Sequence, residues 1–331
     1  MNTATTVHAT KGSAFKWLLK REFWENRGGF LWAPVITGAI ITVLSFIAAM
    51  IGVIKFFQVK NDMDFNMNVD GDMLDHVRQI GQVGDGILMG GMGLTQIVLA
   101  FVVFFYALGT LHDDRRDRSI LFWKSLPVTD TQMVLSKATW ALFLGPLLAI
   151  GIGVLVGVAL WIIAASAMGI MGVPGGWAMF THSHPLSIIA NVLSTLPIYL
   201  FWALPAVGWL MFCSAWARSK PFLWAVLIPV LACVIISMLG ILGIDIPYGP
   251  LWYTVVYRGL LSVVPGTWSP LNLTNDQLAG QNVNTPDDLV RMMNLGNNWQ
   301  VFGTADLWIG AVIGAGLIAA AIYLRRWRDS E

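Results

Sequence analysis

The order of apolar and polar segments along the chain predicts a helical protein that crosses a membrane several times. Long stretches carry no charged residue, and the charged residues cluster between them. A helix needs about 20 mostly apolar residues to cross the hydrocarbon core of a bilayer. By that criterion the chain is an all-α membrane protein with six predicted transmembrane helices. These lie at about 31–56, 87–111, 138–168, 186–213, 222–243 and 305–324.

Composition agrees with this prediction. The chain has 331 residues, of which 56% are hydrophobic and 12% charged, whereas soluble domains carry about 25% charged residues. Proline inside a span removes a backbone donor and can kink the helix. The predicted spans contain Pro34, Pro146, Pro197, Pro205 and Pro229. They also hold two G-x-x-x-G pairs, which allow close helix packing without identifying a dimer face. These are Gly153 with Gly157 and Gly310 with Gly314.

The positions of lysine and arginine predict the sidedness. If the N-terminus is inside, 15 of these residues fall in inner segments and 5 in outer ones. Such an excess is typical of the cytoplasmic side. Six spans return the chain to the side on which it began. We therefore expect a multi-pass protein of the cell membrane (in a bacterium, the inner membrane), with both termini in the cytoplasm.

Residues 1–29 are predicted to form a cytoplasmic tail and an amphipathic helix, and 30–331 a single transmembrane domain. Phe15, Leu18, Leu19 and Phe23 follow helical spacing on one face. Lysine and arginine beside tryptophan and phenylalanine favour a helix in the headgroup layer. No cleavage pattern of a signal peptide follows the first apolar run.

Two longer outer segments are predicted. The first, about 57–86, is acidic, and we expect a solvated loop because its spacing fits no EF-hand. Its acidic residues are Asp62, Asp64, Asp70, Asp72, Asp75 and Asp85. The second, about 244–304, contains an apolar stretch at 251–264 that Arg258 interrupts. That stretch is too short for a span and favours an interfacial or re-entrant helix.

Few residues suggest chemistry. His182 and His184 form a His-x-His, but a zinc site needs three or four ligands, so we expect no metal site. Cys213 and Cys233 fall at different predicted depths, which makes a disulfide unfavourable. No lysine follows a glycine, so the chain has no P-loop. We expect no catalytic residues and no enzymatic activity of its own.

The inner loop at 112–137 carries the most information. Asp113 or Asp114 can cap a short helix that runs to about Ser125, because the residue before Pro127 is disfavoured in a helix. A capping box is then predicted, with Thr129 at the N-cap and Gln132 three residues later.

The predicted short helix carries charges of both signs and then Ile120, Leu121, Phe122 and Trp123. Two interpretations follow from these residues. An aromatic anchor among arginines is typical of an interface core. Alternatively, an amphipathic helix beside the membrane packs on its own bundle.

The loop resembles the first cytoplasmic loop of ABC-2 type transporter permeases. That family has an acidic-Arg pair at the end of the second span, an apolar run, a Pro-Val-(Ser/Thr) element and a downstream lysine. The matching positions are Asp114-Arg115, Asp117-Arg118-Ser119, Ile120-Leu121, Leu126-Pro127-Val128-Thr129 and Lys137. Asp stands where Glu is usual, and Ser119 stands where Gly-Thr is typical. The order of elements along the whole chain is also similar.

The resemblance implies a coupling helix that docks into a groove of a cytoplasmic ABC ATPase subunit. The residues that would contact the ATPase are Arg115, Arg116, Arg118, Phe122, Trp123 and Leu126. ATP and magnesium would be bound by that partner, and this chain would carry no cofactor. A second permease copy, identical or related, would complete the transport path. The importer-type loop signature is missing, so the resemblance implies export.

The spans almost lack ionisable residues, which argues against an ion-driven transporter. An apolar or aromatic path suits an amphipathic or lipid-like substrate. Two other functions stay open: a membrane-embedded enzyme acting on lipid, and an ATPase-coupled membrane sensor that transports nothing. No nucleic-acid partner is expected, whereas membrane lipids are.

Overall fold

The structure is a computed structural model that describes residues 11–62, 73–117, 128–241, 248–268 and 298–328. Within these ranges every regular element is helical. The α-helices are α1 Lys11–Arg27, α2 Ala33–Asp62, α3 Met73–Arg116, α4 Asp130–Thr139, α5 Gly145–Met171, α6 Ala178–His182, α7 Pro185–Ser194, α8 Leu196–Trp216, α9 Ile228–Ile241, α10 Tyr248–Trp252 and α11 Ala305–Arg328. Short 3₁₀ turns occur at Leu261–Val263 and Gln300–Gly303.

Five helical runs are long and apolar enough to cross a membrane. They are Ala14–Lys60, Met73–Arg116, Asp130–Met171, Pro185–Trp216 and Ala305–Trp327. A further apolar run, Leu223–Leu239, is shorter. The chain is therefore an all-α multi-pass membrane protein, as the hydrophobic pattern predicts.

Three prolines widen their helices instead of breaking them. A π-helical turn directly precedes Pro34, Pro146 and Pro229. The turns are Gly28–Trp32, Trp140–Leu144 and Leu223–Leu227. Each closes with a backbone N–H that donates to the carbonyl five residues earlier, from the residue just before the proline. The wider turn accommodates the missing donor and the bulk of the ring.

Helices α2 and α3 extend beyond their predicted spans. Because α2 continues to Asp62 and α3 begins at Met73, the described parts of the expected outer loop 57–86 are helical. The third turn of α3 is covered by the chain that precedes α7. The hydroxyl of Ser183 donates to the carbonyl of Gly81 at 3.0 Å, so this part of α3 is packed rather than solvated.

One acidic residue of that segment has a structural role. Asp85 is buried, and its carboxylate accepts from the backbone N–H of His184 at 2.7 Å, just before α7 begins. The expectation of solvation was therefore wrong for Asp85. His184 lies beside this carboxylate, but the described residues contain no group of three potential metal ligands.

The beginning of the inner loop also differs from its prediction. Asp113 and Asp114 lie in the last turn of α3 and do not cap a separate helix. The predicted capping box is confirmed, since Thr129 and Gln132 exchange two 3.2 Å hydrogen bonds at the start of α4. The rest of the predicted coupling helix, residues 118–127, lies outside the described residues.

Helix α8 lies at the centre of the bundle. In the run Pro185–Trp216, which α8 ends, 67% of the most apolar stretch is buried inside the protein, compared with 0% for the first helical run. Its buried side chains include Trp202, Val207 and Leu210, which belong to one core with residues of α3, α5 and α11. Helix α2 lies at the periphery, and its exposed apolar side chains, such as Val43 and Leu44, suit contact with lipid.

Both glycine pairs are used within the chain. A Cβ atom at Gly314 would collide with the backbone of Leu204 and Pro205 in α8. A Cβ atom at Gly157 would similarly meet the carbonyl of Leu88 in α3. These glycines therefore allow helices of the same chain to pack closely against each other.

We predict that Gly314→Ala lowers the free energy of unfolding by about 1–3 kcal/mol, because rigid backbone stands where the methyl group must go. Gly316→Ala is the matched control, since it lies on the same helix with open space around it. Denaturant titration in detergent micelles measures both variants. Equal stability of the two would show that the contact between α8 and α11 tolerates a methyl group.

Candidate functional site: a buried charge network at the inner end

Charged side chains from four helices meet at one end of the bundle. They come from α1, α3, α4 and α11, and they are Glu22, Asp114, Asp130, Lys137 and Arg325. We call this the inner end, following the predicted sidedness. It is also the end at which α3 leads into, and α4 leads out of, residues 118–127. The site therefore surrounds the base of the predicted coupling loop.

The pair of Glu22 and Lys137 joins α1 to α4. The Lys137 ammonium lies 3.0 Å from the Glu22 carboxylate, and both side chains are almost fully buried, at 4% and 1% exposed. The other oxygen of Glu22 accepts from the hydroxyl of Tyr106 at 2.9 Å. Arg21 adds a second cation at 4.0 Å. A carboxylate at this depth requires such partners, since an unpaired buried charge is very unfavourable.

Asp114 extends the network to the last helix. One of its oxygens lies 3.5 Å from the Lys137 ammonium, and the other accepts from the Arg325 guanidinium at 3.1 Å. Arg325 lies in addition 3.6 Å from the Asp130 carboxylate, an ion-pair distance rather than a hydrogen bond. Lys137 is thus shared by Glu22 and Asp114, and Arg325 by Asp114 and Asp130.

Arg115 attaches the same end of α3 to α8. Its guanidinium donates to the carbonyls of Ser214 and Ala217, at 2.5 and 3.0 Å. These are among the last carbonyls of α8, which lack partners within the helix and favour a nearby cation. The buried hydroxyl of Ser214 accepts in turn from the backbone N–H of Leu111 at 3.1 Å. The end of α3 is therefore attached to α4 and α11 through Asp114 and to α8 through Arg115.

Helix α1 bends to reach this network. Asn26 has non-helical backbone angles, φ −108° and ψ 15°. The indole of Trp140 donates to the carbonyl of Leu19 at 2.7 Å, and its ring lies 5.5 Å from the rings of both Phe23 and Phe30. On a straight helix Leu19 and Phe30 would be about 16 Å apart. The bend wraps the chain around Trp140 and directs Glu22 towards Lys137.

The network joins segments of four helices through buried ion pairs. Desolvation of several charges offsets much of their mutual attraction, so the network fixes geometry more than it adds stability. Displacement of any one of the four helices would separate buried opposite charges, which is unfavourable. The four helices are therefore expected to move together at this end. A force applied to residues 118–127 would act directly on α3 and α4, which flank them.

The structure describes two of the six residues that are predicted to bind the ATPase. Arg115 contacts the chain's own backbone, and Arg116 is exposed at the end of α3. The other four, Arg118, Phe122, Trp123 and Leu126, lie outside the described residues.

Sequence analysis missed Glu22, Tyr106 and Arg325 as members of a site. The apolar face predicted for α1 packs against the bundle, with Leu18 4% exposed, and Glu22 on that face is buried even more deeply, at 1%. A single acid on an otherwise apolar helix face is the signal that could have identified it. Nothing in the local sequence indicates that Arg325 reaches Asp114.

A second buried cation organises the opposite, outer end. The guanidinium of Arg258 lies 3.7 Å from the ring centre of Trp202. It donates to the carbonyls of Trp202 and Asp306, both at 3.1 Å, and pairs with the Asp306 carboxylate at 3.2 Å. Gly310 leaves the space for it. The lone arginine in the apolar stretch 251–264 therefore attaches that stretch to α8 and α11.

Comparison with known proteins gives no match. Neither a family model, nor a curated protein, nor a solved structure matches this chain.

We predict that Lys137→Met destabilises the protein by about 3–5 kcal/mol, because Glu22 and Asp114 then lose a shared cation in a buried site. The free energy of unfolding in detergent micelles is the measurement. The double variant Glu22→Gln with Lys137→Met should recover part of the loss, since the uncompensated carboxylate is then gone. Lys55→Met, an exposed lysine on α2, is the control and should change stability by less than about 0.5 kcal/mol. Equal effects of Lys137→Met and Lys55→Met would contradict a structural role for the network.

Proposed function

We propose that this chain is the transmembrane permease subunit of an ABC-2 type transporter, driven by a separate cytoplasmic ATPase. One observation carries the proposal. The two ends of the loop that resembles a coupling loop are joined by the ion pair of Asp114 with Lys137. Both residues are among the positions that carry the resemblance.

A coupling loop needs stiff connections to the spans, because a partner's movement must reach the transport path. Here Asp114 and Arg115 end α3, and Lys137 lies in α4. Through them the loop is connected to α1, α8 and α11 as well. A partner that moves residues 118–127 would therefore act on five helices, α1, α3, α4, α8 and α11.

Two contacts support a layout of six spans. Helix α8 ends at the inner end, where Arg115 reaches its last carbonyls, and α11 begins at the outer end, where Asp306 meets Arg258. The chain must pass from one end to the other between them. The apolar run Leu223–Ile241 is about 28 Å long as a helix, close to the roughly 30 Å of a bilayer core. The segment 248–268, which consists of short helical pieces, then fits a re-entrant position.

The distribution of buried charge supports an amphipathic or lipid-like substrate. Among the described residues, the buried charged side chains are Glu22, Lys137 and Arg325 at the inner end and Asp85 and Arg258 towards the outer end. On α11, Asp306, the partner of Arg258, and Arg325 are about 28 Å apart. Between these two positions the core is apolar and aromatic, which does not suit the passage of an ion. Export is the direction that the loop resemblance favours.

The proposal requires partners. Each permease chain would bind one ABC ATPase, which carries ATP and magnesium, and would pair with a second permease chain, identical or related. Since both glycine pairs are occupied within the chain, the surface between two permeases must use other residues.

We predict that the chain, extracted in mild detergent, co-purifies with a protein that hydrolyses ATP. Phe122→Ala with Trp123→Ala should reduce the bound ATPase at least tenfold, because aromatic anchors dominate such interfaces. Phe101→Ala with Phe105→Ala is the control, since it removes two exposed aromatic rings from the membrane surface of α3, away from the loop. A complex that survives the first change intact refutes the assignment of the coupling helix.

Transport assays separate the proposal from its alternatives. In proteoliposomes that contain the complex, a permease should move an amphipathic substrate in an ATP-dependent way. A sensor would show stimulated ATP hydrolysis without movement. An enzyme acting on lipid would convert its substrate in the absence of the ATPase.

A further inference from the structure

The outward face of α1 carries a regular stripe of aromatic and basic side chains. Trp17, Lys20, Trp24 and Arg27 are spaced by three, four and three residues, which places them on one side of the helix. Trp17 is 67% exposed and Trp24 55%. The Lys20 ammonium lies 5.1 Å from the Trp17 ring, and the Arg27 guanidinium 5.5 Å from the Trp24 ring. The same aromatic–cation unit therefore occurs twice, one heptad apart. We call these four residues the Trp–cation stripe.

The charge on this side of α1 is strongly positive. Lys16, Lys20 and Arg27 are exposed, and within the described residues no salt bridge joins them to an acid. The one exposed acid of the helix, Glu25, is already paired with Arg21 at 2.7 Å. The other acid, Glu22, faces inward and is buried. An anion that approaches the stripe meets cations without a competing carboxylate.

The stripe also lies close to the membrane. The first predicted span begins at about residue 31, only a few residues after Arg27, and Trp32 at its start is 51% exposed. Because α1 bends at Asn26 and packs on Trp140, the helix stays beside the bundle and does not extend straight away from it. Tryptophan prefers the level of the lipid headgroups, and lysine and arginine are attracted to anionic lipids there.

We propose that the Trp–cation stripe binds anionic phospholipid headgroups, and that the bound lipid holds α1 where Glu22 reaches Lys137. The cations recognise the phosphate, and the tryptophans insert between the glycerol and acyl regions. A free phosphate ion would use the cations alone and would leave both exposed indoles without a role. The inner face of the same helix supplies Glu22 to the buried network, so lipid on one face stabilises the ion pair on the other. This proposal does not depend on the transport function.

The test uses the purified full chain in detergent micelles supplemented with phosphatidylglycerol or phosphatidylcholine. Cys213 and Cys233 are both buried, so their reaction with a maleimide dye reports unfolding. Phosphatidylglycerol should raise the midpoint of thermal unfolding above that in phosphatidylcholine by roughly 2–6 °C. In Lys20→Gln with Arg27→Gln the two midpoints should coincide. Lys20→Arg with Arg27→Lys, which keeps both charges, should retain the difference.

The matched control is Lys55→Gln with Lys60→Gln, which removes two exposed lysines from α2 and should leave the lipid effect unchanged. The proposal fails if the wild type shows no preference for phosphatidylglycerol, or if the Gln variant on α1 keeps it. It also fails if both Gln pairs lose the effect equally, or if the charge-keeping variant loses it. Glycerol phosphate at the same concentration should have no effect, and an equal effect would exclude lipid as the ligand. If the double variant does not fold, Lys20→Gln alone should lower the difference by about half.

Discussion

A charge can be buried in an apolar bundle only when opposite charge lies within a few ångströms of it. At the inner end of this protein that constraint joins Glu22, Asp114, Lys137 and Arg325. Segments of α1, α3, α4 and α11 must therefore lie close together in one arrangement. The inner end of α3 and the start of α4, which flank the loop between them, both take part in it.

The apolar part of the bundle obeys a different constraint, which is close packing. Helices α8 and α11 approach until backbone meets backbone, because Gly314 has no side chain. At the outer end, as at the inner end, a buried cation joins different segments of the chain. Arg258 is stacked on Trp202 and paired with Asp306. Buried charge thus joins the helices at both ends and glycine allows their close approach in the middle, and Arg258 attaches the short segment 248–268 to α8 and α11.

Sequence alone predicted the helical class, the apolar face of α1 and the start of α4, because periodicity and capping are local signals. It failed for Asp114, whose carboxylate is used by Lys137 and Arg325 instead of a helix N-terminus. It also failed for Asp85, which is buried against the chain before α7. Both errors have one cause, since the partner comes from a distant segment that local pattern does not reveal. The π-helical turns before Pro34, Pro146 and Pro229 were anticipated only as kinks.

The order in which the ribosome makes these helices gives the charge network another consequence. Glu22, Asp114 and Lys137 are all synthesised long before Arg325, which lies in the final described helix. Until α11 inserts, Asp114 and Asp130 lack the cation that separates and neutralises them. In a nascent or truncated chain the buried network therefore holds the carboxylates of Glu22, Asp114 and Asp130 but only one of its two buried cations, Lys137. Insertion of α11 supplies the second cation, Arg325, and completes the network.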